Sequence, residues 1–141
     1  MSDSIIIFVR SQKLPSVNQL RTAVSELGLT LESWEEEGID KLEEIVGFWP
    51  GEIKGEEAGF ELCAGEVDDD DLEGWEVDKA SLEGRDFMFD LAFRTELDVK
   101  ASAITAAVLC KMCDGLTFDD DEELTINAEN CMAWADRLLS E

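Results

Sequence analysis

Hydrophobic positions along the chain alternate between strand-like and helix-like patterns. Ser4–Arg10 contains IIIFV, a continuous β-branched and aromatic run, which predicts a central strand covered on both faces. In LPSVNQLRTAVSELG, Val17, Leu20, Val24 and Leu27 are spaced three, four and three apart, the apolar stripe of a helix. Ser16 and Gln19 have capping-box spacing at its start, and Gly28 can close its end. LTL at 29–31 predicts a short second strand.

Residues 32–57 carry a weaker pattern. Ile39, Leu42 and Ile45 fit a short helix ending at Gly47, but Ile45–Trp49 fits an extended segment equally well. GFWPGEIKGEEAG is rich in glycine with one proline and reads as loop and turn. Phe60, Leu62 and Ala64 then alternate within Gly59–Ala64, as in a strand. Leu72, Trp75, Val77 and Leu82 follow no clear period, so residues 65–84 read as an ordered excursion or loop.

Arg85–Arg94 carries the clearest strand signal. Phe87, Phe89, Leu91 and Phe93 face one way, and Met88, Asp90, Ala92 and Arg94 the other. Thr95 is an N-cap candidate with Asp98 in the first turn. ASAITAAVLCKMC is apolar nearly all round, which predicts a deeply buried helix ended by Asp114-Gly115. LTF at 116–118 predicts a brief strand or turn. After DDDEE, Asn127 is a cap candidate for a last helix whose Cys131, Trp134, Ala135 and Leu138 share a face. The order is roughly β-α-β-(α)-β-β-α-β-α. It predicts an α+β fold: a mixed, mainly antiparallel sheet with helices packed on it, in one domain over 1–141.

Charge changes this picture more than composition does. Apolar residues make up 45% of the 141, enough for a globular core, yet 35 acidic residues face 11 basic ones, a net charge of −24. Such a field repels nucleic acid and anionic lipid and speeds encounter with cations. No apolar run approaches the ~20 residues of a membrane span, and MSDSIIIFVR lacks the basic start of a signal peptide, so a cytoplasmic protein without membrane contact is expected.

Candidate catalytic chemistry is thin. Histidine is absent, which removes Ser-His and Cys-His pairs and imidazole metal ligands. Cys110-x-x-Cys113 sits at a helix C-terminus, where the dipole disfavours thiolate. With Cys63 and Cys131 it reads as reduced, structural cysteine rather than a redox or zinc site. Asp69, Asp71, Glu73 and Gly74 match the opening of an EF-hand loop, but Ala80 stands where the bidentate glutamate is required. In the second cluster, Asp119, Asp121 and Glu123 fit, but Leu124 replaces the glycine. Abundant carboxylates without a companion nucleophile or base do not mark an active site. The expectation is a non-enzyme with no cofactor and no metal.

The acids are not spread evenly. Residues 32–83 hold 20 acidic and three basic residues, a balance of −17, whereas residues 1–31 balance at +1. Trp34, Trp49 and Trp75 lie in the acidic window, in SWEEEG, GFWPGE and EGWEVD. Tryptophan framed by polar groups is the commonest interface anchor, although each indole is also a natural cover for a core edge. The expected partner-binding residues are Trp34, Glu35, Glu36, Glu37, Trp49, Glu66, Asp68, Asp69, Asp70, Asp71, Glu73, Trp75, Glu76 and Asp78. The expected partner is a basic protein, whose association the field accelerates.

The layout, with GFWPGEIKGEEAGFEL in the middle and AAVLCKMCDGLTFDDDEELTINAENCMAWADRLL at the end, resembles the small acidic single-domain immunity proteins of bacterial toxin–immunity systems. The likeness spans most of residues 5–139. It implies a protein that binds a cognate toxin tightly and covers its active site. Acidic members of such families commonly face basic nuclease toxins. Two other readings fit the charge: a nucleic-acid mimic that inhibits a DNA-binding protein, and an adaptor or chaperone for a basic client.

Overall fold

In a computed structural model described over residues 3–74, 78–119 and 124–140, the chain is an α+β protein in which helices pack on an antiparallel sheet. The elements run β1 (Asp3–Val9), α1 (Val17–Ser25), β2 (Leu29–Leu31), β3 (Gly47–Trp49), β4 (Gly51–Ile53), β5 (Glu56–Glu57), β6 (Phe60–Glu66), α2 (Asp69–Gly74), β7 (Phe87–Phe93), α3 (Glu96–Met112), β8 (Leu116–Asp119), β9 (Leu124–Asn127) and α4 (Cys131–Ser140). Six strands form one sheet in the order β3-β6-β7-β1-β8-β9, and β2-β4-β5 form a small second sheet. Every strand pairing among the described residues is antiparallel.

Helix α1 starts where its sequence says it should. The Ser16 hydroxyl accepts the Gln19 N–H at 3.1 Å, and the Gln19 side chain accepts the Ser16 N–H at 2.8 Å, so two otherwise orphaned donors are satisfied. Val17, Leu20 and Val24 are buried. Thr95 caps α3 through a 3.1 Å bond from the Asp98 N–H, and Ala101–Cys110 are all buried. A helix apolar on every side has this one stable place, between the sheet and its neighbours α1 and α4.

The sheet's pleat sorts β1 and β7 onto two cores. Ile7, Val9, Phe89 and Leu91 face the helices in the larger core. Phe8 and Met88, opposite each other in the register, face outward with Leu116, and there Leu72 and Leu82 cover them.

Two expectations need correction. GFWPGEIKGEEAG is not only loop and turn: it contributes β3, which pairs with β6, and the hairpin β4–β5, whose β4 also pairs with β2. Within residues 65–84 the chain finishes β6, forms α2 and makes a 3₁₀ turn at Lys79–Leu82. Asn127 ends β9 rather than entering α4 directly. Its Oδ1 accepts the Glu129 and Asn130 N–H groups at 2.9 and 3.2 Å, shaping the turn ahead of the helix. The ambiguous stretch before Gly47 holds a 3₁₀ turn, Leu42–Glu44, with Leu42 and Ile45 buried. Among the described residues no helix is long and apolar enough to cross a membrane.

Candidate functional site: an acidic surface and its groove

The acidic segment is built with leucines inward and carboxylates outward. Asp68 Oδ1 accepts the Asp70 N–H at 2.8 Å and starts α2, which buries Leu72 to 3% exposure. Asp78 Oδ1 accepts the Ala80 N–H at 3.1 Å and starts the 3₁₀ turn, which buries Leu82. The two leucines share no period because they come from separate short helical turns that dock on the same patch, Phe8, Met88 and Leu116. Glu66, Asp68, Asp69, Asp70, Glu73 and Asp78 are left exposed. The side chain of Asp71, and Trp75 and Glu76 altogether, lie outside the described residues.

A second anchor is ionic. Arg85, 8% exposed, donates from Nη1 to the Leu82 carbonyl at 3.0 Å and from Nε to the Asp114 carbonyl at 2.7 Å. This cation therefore serves two backbone carbonyls, and it also lies 3.4 Å from the Asp114 carboxylate and 4.0 Å from that of Glu83. Ion pairs among the described residues reach Glu61, Asp69 and Glu83 of the window 32–83. Every carboxylate of that window whose side chain is described is exposed. Glu35, Glu36 and Glu37 belong to this set, in the turn that follows Trp34.

Trp34 and Trp49 do not share the acids' orientation. Trp49 is 0% exposed, and its Nε1–H donates to the Glu32 carbonyl at 2.8 Å. Its ring meets Trp34 edge-on at 6.2 Å and Phe60 at 5.9 Å. Trp49 is thus a core residue and does not present its indole to a partner. Strand β3 pairs Trp49 with Phe60 on the helix side of the sheet, and the pleat fixes its direction. Trp34 is half-buried against the same core.

The residue beside Trp49 goes the other way. Phe48 is 53% exposed, and Val46, just before β3, is 76% exposed. Phe48 lines a groove of about 540 Å³ at the sheet's edge, together with Pro50, Glu32, Glu52, Glu57 and Asp98. Gly59 forms part of its floor. A Cβ there would collide with the Trp49 carbonyl and lie 2.9 Å from the Phe48 Cζ, so only glycine lets the ring settle over that backbone. The Gly59 N–H donates to Asp98 Oδ1 at 3.1 Å, tying the first turn of α3 to the groove. The sequence itself carries a signal for Phe48. In an extended FW pair, one ring must face away from the core.

The cysteines and the calcium-like patterns resolve differently. Cys110, Cys113 and Cys131 are buried, and burial pushes Cys113 up to about 12 and raises Cys110 and Cys131 as well. These are inert core thiols. Asp69, Glu73 and Gly74 lie in helix α2, where alternate residues turn about 200° apart and do not converge as in an EF-hand loop. The cluster running from Asp119 to Glu123 falls almost wholly outside the described residues. Among the described residues no three carboxylates or thiols are grouped to hold a metal ion. Comparison of the chain with protein-family models, with curated proteins and with solved structures finds no match in any of the three.

Proposed function

We propose that the protein is a capture module for a strongly basic protein, and that it acts as an immunity-type inhibitor that occupies a cognate toxin and blocks access to its active site. One observation carries the reading. The described carboxylates of residues 32–83 are all exposed, while most of the large apolar residues among them turn inward, Val46 and Phe48 excepted. A chain gains no stability from that arrangement, because like charges repel. It does gain rapid encounter with a cationic partner. Inhibition then needs no chemistry on this chain, only occupancy. A cytoplasmic address, where a cell guards itself against its own toxin, belongs to the same reading.

The test is growth rescue. The product of the gene adjoining this one is expressed in a heterologous host with and without this chain. Relief of growth arrest, together with a complex that weakens as salt rises, supports the proposal. A neighbouring product that is harmless, or equally toxic in the presence of the chain, overturns it. If duplex DNA competes for binding to unrelated DNA-binding proteins, the mimic reading replaces it.

A further inference from the structure

The groove beside β3 narrows this reading to a docking chemistry. Among the described residues only Val46, Phe48 and Met112 are exposed large hydrophobics, and two of the three lie within three residues of each other at the edge of the six-stranded sheet. The Phe48 ring lies close to Gly59, and about half of the residue is open to solvent. Around it stand Glu32, Glu52, Glu57 and Asp98, and no lysine or arginine lines the groove. One Asp98 oxygen already accepts the Gly59 N–H.

An apolar ring bordered by carboxylates selects among cations. A metal ion is a poor occupant, since no group of three carboxylates converges among the described residues. An ammonium satisfies charge but offers no flat surface. A guanidinium does both: it stacks on an aromatic face and forks two N–H groups toward a carboxylate. A second copy of this chain would set another −24 charge against the same acids, so self-association is opposed.

We propose that this groove is the docking site for an arginine side chain of the basic partner, stacked on Phe48 and paired with the carboxylates around it, with Val46 contacting the partner's flanking apolar surface. The proposal rests on the basic-partner reading and sharpens it. It places the specific contact here, and leaves the carboxylates of α2 and its flanks to long-range attraction.

The test compares the full chain with F48A, with E52Q/E57Q, and with D69N/D70N as a control of equal charge loss. Each is titrated with an oligo-arginine and an oligo-lysine peptide of equal length, followed by amide chemical shifts. Wild type is expected to prefer arginine, with shifts concentrated at Phe48, Gly51, Gly59 and Asp98. F48A should lose about tenfold in arginine affinity with its salt dependence intact, as for an anchor that carries no charge. E52Q/E57Q should lose affinity and salt dependence together, and by more than D69N/D70N. Equal losses in the two charge-matched variants, or equal affinity for the two peptides, overturn the groove while leaving a diffuse basic-partner interaction in place. A dimer that F48A dissolves overturns it in favour of a second copy. Growth rescue that survives F48A combined with E52Q/E57Q overturns the groove but not the immunity role, whereas absence of rescue by wild type removes the role itself.

Discussion

Arg85 holds Asp114 twice, through its carbonyl at 2.7 Å and its carboxylate at 3.4 Å. Asp114 sits just beyond α3 in a left-handed conformation, φ 51°, and Arg10 grips its other carboxylate oxygen at 2.8 Å. The same guanidinium caps Leu82, so one buried cation ties the end of the acidic segment to the end of the central helix. Removing it strands the Asp114 carbonyl, while the Leu82 carbonyl keeps the Arg85 backbone N–H at 3.1 Å. Arg85→Met is expected to cost about 2–4 kcal/mol, read as a lower urea midpoint at unchanged slope. An unshifted midpoint would dismiss this tie as incidental.

Three aspartates give opposite pH signatures. The Ser11 hydroxyl and N–H bond the Asp86 carboxylate and hold it below the ordinary range, and the Arg10 bond does the same for Asp114. Their stabilisation is complete above 3.8 and is lost as pH falls through the lowered folded values. Asp90 is raised by burial, only partly offset by a bond from Ser4, and its Oδ1 has no partner. Its penalty therefore appears as pH rises above 3.8 through the raised folded value. Against wild type at each pH, D90N should be the more stable protein near neutrality, with the gap closing towards acid. D86N should be the less stable near neutrality, by under about 1 kcal/mol because the site is exposed. Urea midpoints across an acid-to-neutral series check both signs.

Thiol chemistry separates the cysteines. Cys63 is exposed on β6, while Cys110, Cys113 and Cys131 are buried with raised pKa values. A thiol-specific chromogenic reagent at mildly alkaline pH should titrate one thiol in the native chain and four in denaturant. The C63S variant should show none in the native state. Rapid native reaction at Cys110 or Cys113 would contradict their burial and reopen the paired-cysteine reading.

What could be read in advance was local. Ser16 with Gln19, the alternation of Phe87–Phe93, and the all-round apolar run in α3 each carry their signal within a few residues. Strands β3 and β4 are three residues long, broken by glycine and proline, and exist because β6 and β2 pair with them from afar. Leu72 and Leu82 looked unpatterned because each answers to the same outer patch from a different turn. For the acidic window, which residues were charged was plain, and which aromatics faced out was not. That depended on the phase of a strand that the local pattern did not announce.

Trp49 and Phe48 test that phase directly, as neighbours with opposite fates. Trp49→Ala would empty a fully buried site, unseat Trp34 and Phe60, and orphan the Glu32 carbonyl. The expected cost is about 3–5 kcal/mol, with W49F recovering part of it through packing but not the hydrogen bond. Phe48→Ala removes a ring that is half in water, and stability should move by little more than about 0.5 kcal/mol. Acrylamide should quench the Trp49 contribution to fluorescence far less than that of a tryptophan placed at 48. If instead F48A unfolds the protein and W49A is benign, the register of β3 is shifted by one residue, and with it the face on which the groove stands.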